Sequence, residues 1–96
     1  MGALQIAHRL AWVVKLCAGG YTCHELLDED GRRWGWVINA GGRRWDAHLG
    51  DFGQAATLGL PAPPVDGSIG SFPDVAAAKE WVEEGVARAW RREARS

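Results

Sequence analysis

Two stretches of alternating character, Arg33 to Ile38 and Arg44 to Leu49, flank the tetrapeptide Asn39-Ala40-Gly41-Gly42. Successive side chains on a strand point to opposite faces, and a short Gly-bearing link between two such runs closes an antiparallel hairpin. Strict alternation puts Trp34, Trp36 and Ile38 on one face of the first strand, and Trp45, Ala47 and Leu49 on one face of the second. The opposite face then carries Arg33, Gly35, Val37, Arg44, Asp46 and His48, a mixed polar surface suited to water. Six Trp residues in a chain of 96 either build its core or sit at an interface, since each brings a large apolar area and an N–H that wants an acceptor. The expectation is therefore a sheet whose indoles at 34, 36 and 45 face inward.

The segments around this hairpin extend it. Tyr21 to Leu27 reads as a preceding strand, joined to the first by the turn-rich Asp28-Glu29-Asp30-Gly31. Ser68 to Phe72 supplies a short fourth strand. Ala3 to Ala18 reads as a helix, because Ala3, Leu4, Ile6, Ala7, Leu10, Ala11, Val13, Val14 and Cys17 gather on one arc at 100° per residue. Gly19-Gly20 would terminate it. A second helix starts at Pro73-Asp74, where Asp74 can cap free N–H groups. Its buried stripe is Val75, Ala78, Trp81, Val82, Val86 and Ala89, with Gly85 inside it for close packing. Between strands and helix, about residues 50–67 form an irregular Gly/Pro-rich loop containing Pro61, Pro63 and Pro64. The fold class expected is α+β: one domain over 1–96, α-β-β-β-(β)-α, with a three- to four-stranded antiparallel sheet packed by two helices.

Several functions find no support in the residues. There is no Gly-rich phosphate loop followed by Lys, no Gly-x-Ser-x-Gly and no His-Glu-x-x-His. Cys23-His24, with Glu25 or His48 as orienter, could form a thiol–imidazole pair, but adjacent strand residues point to opposite faces. Cys17, Cys23, His24 and His48 lack a zinc-site spacing. No enzyme, metal or cofactor is expected. Two cysteines do not make the disulfide framework of a secreted domain, and the apolar run Leu10 to Leu16 is too short to span a membrane. The expected location is the cytoplasm.

Two binding readings remain. In the first, Trp12 and Leu16 stand one turn apart on the polar arc of the leading helix beside His8 and Arg9, as an aromatic anchor for a protein partner, and Trp90 extends the patch. In the second, Arg32, Arg33, Arg43 and Arg44 interleave with Trp34, Trp36 and Trp45 on a β-ribbon for DNA, with Arg91, Arg92 and Arg95 adding phosphate contacts. A net charge of −1 provides no global attraction to a polyanion.

The runs Trp34-Gly35-Trp36-Val37-Ile38, Gly70-Ser71-Phe72-Pro73-Asp74 and Ala78-Lys79-Glu80-Trp81-Val82-Glu83 resemble small proteins of phages, prophages and mobile elements. In these a three-stranded sheet ends in a G-x-F…A-K-x-W-V-E strand-to-helix junction. The resemblance covers about half the chain and implies the company of integrase arm-binding modules and small anti-defence inhibitors, anti-CRISPR proteins among them. What it implies for function is a non-catalytic inhibitor that blocks a host nucleoprotein complex, with a small DNA-binding regulator as the alternative.

Overall fold

Trp12, Val13 and Val14 are aromatic and β-branched, residues that fit a pleated surface better than a helix. In the computed structural model, which describes residues 9–39, 44–51, 53–65 and 67–94, they lie in an edge strand, β1 (Ala11–Leu16). The expected leading helix is thus corrected over this stretch; its part before residue 9, including His8, lies outside the described residues. The Gly-Gly pair keeps its turn-forming role in another element. Gly19 and Gly20 adopt φ of 85° and 81° in the connection from β1 to β2 (Thr22–Leu27), where the Cys17 N–H donates to the Tyr21 carbonyl at 2.7 Å.

β3 (Arg33–Asn39), β4 (Trp45–Leu49) and β5 (Ile69–Phe72) complete an antiparallel sheet of five strands in the order β1-β2-β3-β4-β5. The link after Asn39, which includes Arg43, lies outside the described residues. The Gly/Pro-rich stretch carries one short helix, α1 (Gln54–Thr57), whose Ala55 N–H donates to Asp51 Oδ2 at 3.0 Å. Pro63 and Ala55 are buried and Val65 packs on the core. The last element, α2 (Val75–Ala94), begins where Asp74 Oδ1 accepts the Ala77 N–H at 2.7 Å. Among the described residues the architecture is α+β, with five strands, the short α1 and one long helix.

α2 packs on β3, β4 and β5. Its Ala78, Val82, Val86 and Ala89 are buried against Leu26, Trp34, Val37, Ala47 and Leu49, the stripe that its 3.6-residue period predicts. Close approach is permitted by glycines on both sides. A Cβ on Gly35 would lie 2.6 Å from Val82 Cγ1, and one on Gly85 would lie 2.6 Å from Leu49 Cδ2.

The facing of β3 departs from strict alternation. Leu26 pairs with Gly35 but Leu27 pairs with Arg33, so Trp34 is an extra residue in a β-bulge. The insertion resets the parity. Trp34 and Gly35 both meet the helix side, Val37 follows them inward with no exposure, and Trp36 turns to the open face opposite His48. Of the three indoles expected inside, 34 and 45 pack on the core and 36 does not. Gly35 and Val37, expected on the open face, lie under α2.

Candidate functional site

Among the described residues, the helix-side face is left open towards its β1 edge, since α2 packs on β3, β4 and β5. Trp12, Val14 and Leu16 pair with Leu26, His24 and Thr22, so all three project to the face that α2 covers further along the sheet. Trp12 meets the helix: its indole N–H donates to Glu83 Oε2 at 2.8 Å, and Lys79 Nζ sits 5.2 Å from its ring centroid. Val14 is 62% and Leu16 80% exposed. Between this strand and the helix runs a groove of about 350 Å³, walled by Leu10, Trp12, Leu26, Val86 and Trp90 with Glu83 at its margin. The Trp90 ring stands edge-on to Trp34 at 5.7 Å, and its buried N–H meets no acceptor among the described residues.

The structure therefore brings Trp12 and Trp90 together on one groove and sets Leu16 apart from them. Trp12 and Leu16 are separated by roughly 13 Å along a strand rather than by one helical turn. Arg9 is exposed, and its backbone N–H donates to Glu29 Oε2 at 2.9 Å. Val13 and Val14, half of the exposed apolar strand, escape a helical reading because it assigns them to a core. The density of β-branched and aromatic residues at 12–14 was the available signal.

Three arginines of the alternative reading, Arg32, Arg33 and Arg44, are engaged within the domain. Arg32, 8% exposed, donates through Nε to Asp28 Oδ2 and through Nη1 to the Pro61 carbonyl, both at 2.9 Å. Arg33 donates to Glu25 Oε2 at 2.8 Å and the Asp51 carbonyl at 3.0 Å, and lies 4.1 Å over the Trp36 ring. Arg44 donates to Ser71 Oγ at 2.9 Å and to the Ser71 carbonyl at 3.1 Å. Arg91 and Arg92 are exposed in the last turns of α2, while Arg43 and Arg95 lie outside the described residues.

The open face carries its own ladder. Lys15 reaches Glu25 Oε1 at 2.7 Å, so the buried carboxylate lies between two cations. Burial pushes the Glu25 pKa up, but the hydrogen bonds and charges of Lys15 and Arg33 outweigh it and hold the group below its ordinary value. Trp36, under Arg33, stacks on His48 with centroids 4.5 Å apart and planes within 5°. Desolvation lowers the His48 pKa; Asp46 works against that and Arg33 with it.

Cys23 and His24 occupy opposite faces, in the pair rows of Lys15 and Val14 respectively. Burial and the adjoining Cys17 thiol push Cys23 up to about 12, which keeps it a thiol at neutral pH. Among the described residues, the one cluster with metal-ligand spacing is Asp28, Glu29 and Asp30, and both oxygens of Asp28 already accept N–H groups. No described helix is long and apolar enough to cross a membrane. No known protein family, curated protein or solved structure matches the chain.

Proposed function

We propose that this chain is a non-catalytic protein-binding domain of a phage or mobile element, working in the cytoplasm by steric blockade of a larger host nucleoprotein complex, in the manner of an anti-CRISPR inhibitor. The observation that carries the protein-binding part is the exposed apolar strand β1 running beside the Trp12–Trp90 groove. Hot spots of protein interfaces are aromatic anchors beside pockets that exclude water, and an edge strand adds backbone donors and acceptors to such a site. Occlusion demands surface and shape rather than a reacting group. The phage-protein resemblance supplies the host-complex part of the reading. A protein target is favoured over DNA because Arg32, Arg33 and Arg44 already hold turns and strands together, so that these three are bound within the domain rather than offered to phosphates.

The test is capture of a CRISPR ribonucleoprotein complex by tagged chain, compared with the Trp12→Ala and Leu16→Asp variants. Retention of the complex by the parent chain, weakened about 10-fold or more in either variant, supports the reading. If the parent chain enriches no component of such a complex, the inhibitor reading fails. A gel shift at low ionic strength decides the DNA alternative, since phosphate-driven binding is strongest there.

A further inference from the structure

The two edges of the sheet are built differently. β5 has four residues, includes Gly70 and Ser71, and is followed at once by Pro73, features that blunt an edge against further pairing. β1 has six residues, AWVVKL, with no Gly or Pro, and its register with β2 runs without a shift. A charge on an edge strand ordinarily discourages association. The single charge here, Lys15, is drawn across its own sheet onto Glu25 at 2.7 Å.

The hydrogen-bond phase of β1 fixes what can pair with it. Cys17 donates to the Tyr21 carbonyl, and the unshifted register places Lys15, Val13 and Ala11 in the same phase opposite Cys23, Glu25 and Leu27. These odd-numbered residues turn their backbone groups towards β2, so Trp12, Val14 and Leu16 turn theirs outward. Directly opposed residues of an antiparallel pair also project to the same face. A strand that pairs with its own copy about a two-fold axis must therefore be centred on a residue, and the choice of residue decides which groups are satisfied.

We propose that β1 pairs antiparallel with β1 of a second copy of this chain, about a two-fold axis through the Val14 pair. Val14 then opposes Val14 of the other copy, and Trp12 opposes Leu16 at both ends. Every outward N–H and C=O of Trp12, Val14 and Leu16 finds a partner within the strand. Centring on Val13 would instead match Leu16 with Leu10, which lies outside β1. The most exposed apolar side chain of the strand, Leu16, is thereby laid against the aromatic wall of the other copy's groove. Each Lys15 stands opposite Val13, held back against Glu25, the carboxylate it shares with Arg33. One strand per copy buries less than the roughly 1,200 Å² typical of tight complexes, so the dimer is weak and concentration-dependent, with Kd on the order of 100 μM.

This inference stands without the functional reading above: self-association is measured on the chain alone and capture on a host complex, so either can fail by itself. The experiment is sedimentation velocity from about 10 μM to about 1 mM, a range bracketing that affinity, with amide hydrogen exchange at both ends. Twice the chain mass at high concentration is expected, together with slowed exchange at Trp12, Val14 and Leu16. Val13 and Lys15, bonded within the monomer, should exchange at an unchanged rate. Val14→Lys, which sets one lysine against another across the axis, should abolish the dimer with an unchanged melting temperature, and Leu16→Asp provides a second variant at an exposed position. A monomer throughout, exchange at the three outward amides that does not respond to concentration, or a dimer that survives both folded variants would overturn the proposal.

Discussion

The Trp34 indole N–H donates to Asp28 Oδ2 at 3.0 Å, joining the turn between β2 and β3 to the centre of the core. The same carboxylate takes Arg32 Nε on Oδ2 and the backbone N–H groups of Asp30 and Arg32 on Oδ1, each at 2.9 Å. One buried acid thereby satisfies the ring that the bulge turns inward, neutralises Arg32 and sets the turn. Asp28→Ala would take the carboxylate from a buried guanidinium and an indole N–H. Urea unfolding should show a loss of about 3–5 kcal/mol, the range for removing one partner of a buried ion pair. Trp34→Tyr, which leaves the ion pair in place, should shift the midpoint through packing instead and leave the arginine's acceptor intact.

Acid should destabilise the domain in two stages. His24 and His48 both have folded-state pKa values lowered, first by burial, then by Lys79 for His24, whereas for His48 Asp46 opposes the fall and Arg33 adds to it. The unfolded chain then binds protons more readily, so stability begins to fall as pH drops below about 6.5. Asp28 and Glu25 are raised by burial but lowered further by their hydrogen bonds, with a net depression. Their contribution is full above about pH 5 and is lost as pH falls through the unfolded and then the lower folded values. Denaturation midpoints at pH 8, 6 and 5 should decline gently, with a steeper fall at lower pH; His48→Gln should remove its share of the first stage, leaving that of His24, and should leave the second.

The two glycines at the helix–sheet contact should respond unequally to alanine. At Gly35 the new methyl would meet Val82 Cγ1 at 2.6 Å and the backbone oxygen of His48 at 2.8 Å, and the latter cannot rotate away. At Gly85 the obstacle is the end of the Leu49 side chain, with Cδ2 at 2.6 Å, while the helix gains about 1 kcal/mol of propensity from losing a glycine. Overpacking costs about 1–3 kcal/mol, so Gly35→Ala should lose most of that range and Gly85→Ala distinctly less. Thermal melts of the two variants, run side by side, read the order directly.

What the residues announced and what they hid divide along physical lines. Asp28-Glu29-Asp30-Gly31 and Pro73-Asp74 act through bonds to their own neighbours, so turn and helix start were legible, as was the long stripe from Val75 to Ala89. Ala11–Leu16 was not, because five apolar residues around Lys15 suit a helical arc and an edge strand alike, and pairing with β2 decides between them. Gly19-Gly20 serves a hairpin as readily as a helix end. The facing of Trp36 was hidden by the extra residue at Trp34; the only local hint was Gly35, a glycine within a strand pattern. Trp12 and Leu16 were singled out as helix neighbours and emerge as strand neighbours, with Val14 between them on the same face. Leu10, Leu26, Glu83 and Val86 join the groove only through contacts far apart in sequence.

The two cations on Glu25 should prove unequal, and their difference separates a structural arginine from a recognition one. Lys15 is 51% exposed at its side chain and makes the one contact, whereas Arg33, 18% exposed, also donates to the Asp51 carbonyl and covers Trp36. Lys15→Ala should cost under about 1 kcal/mol, as exposed ion pairs do. Arg33→Ala should cost about 1.5–3 kcal/mol, the range for a hydrogen bond to a charged group, and should also quench or shift Trp36 fluorescence. Arg33→Lys keeps the charge but cannot bridge two acceptors across a ring face, so it should recover only part of the loss. Were Arg33 instead a phosphate contact, its removal would leave the unfolding midpoint untouched and reduce only the salt dependence of DNA binding.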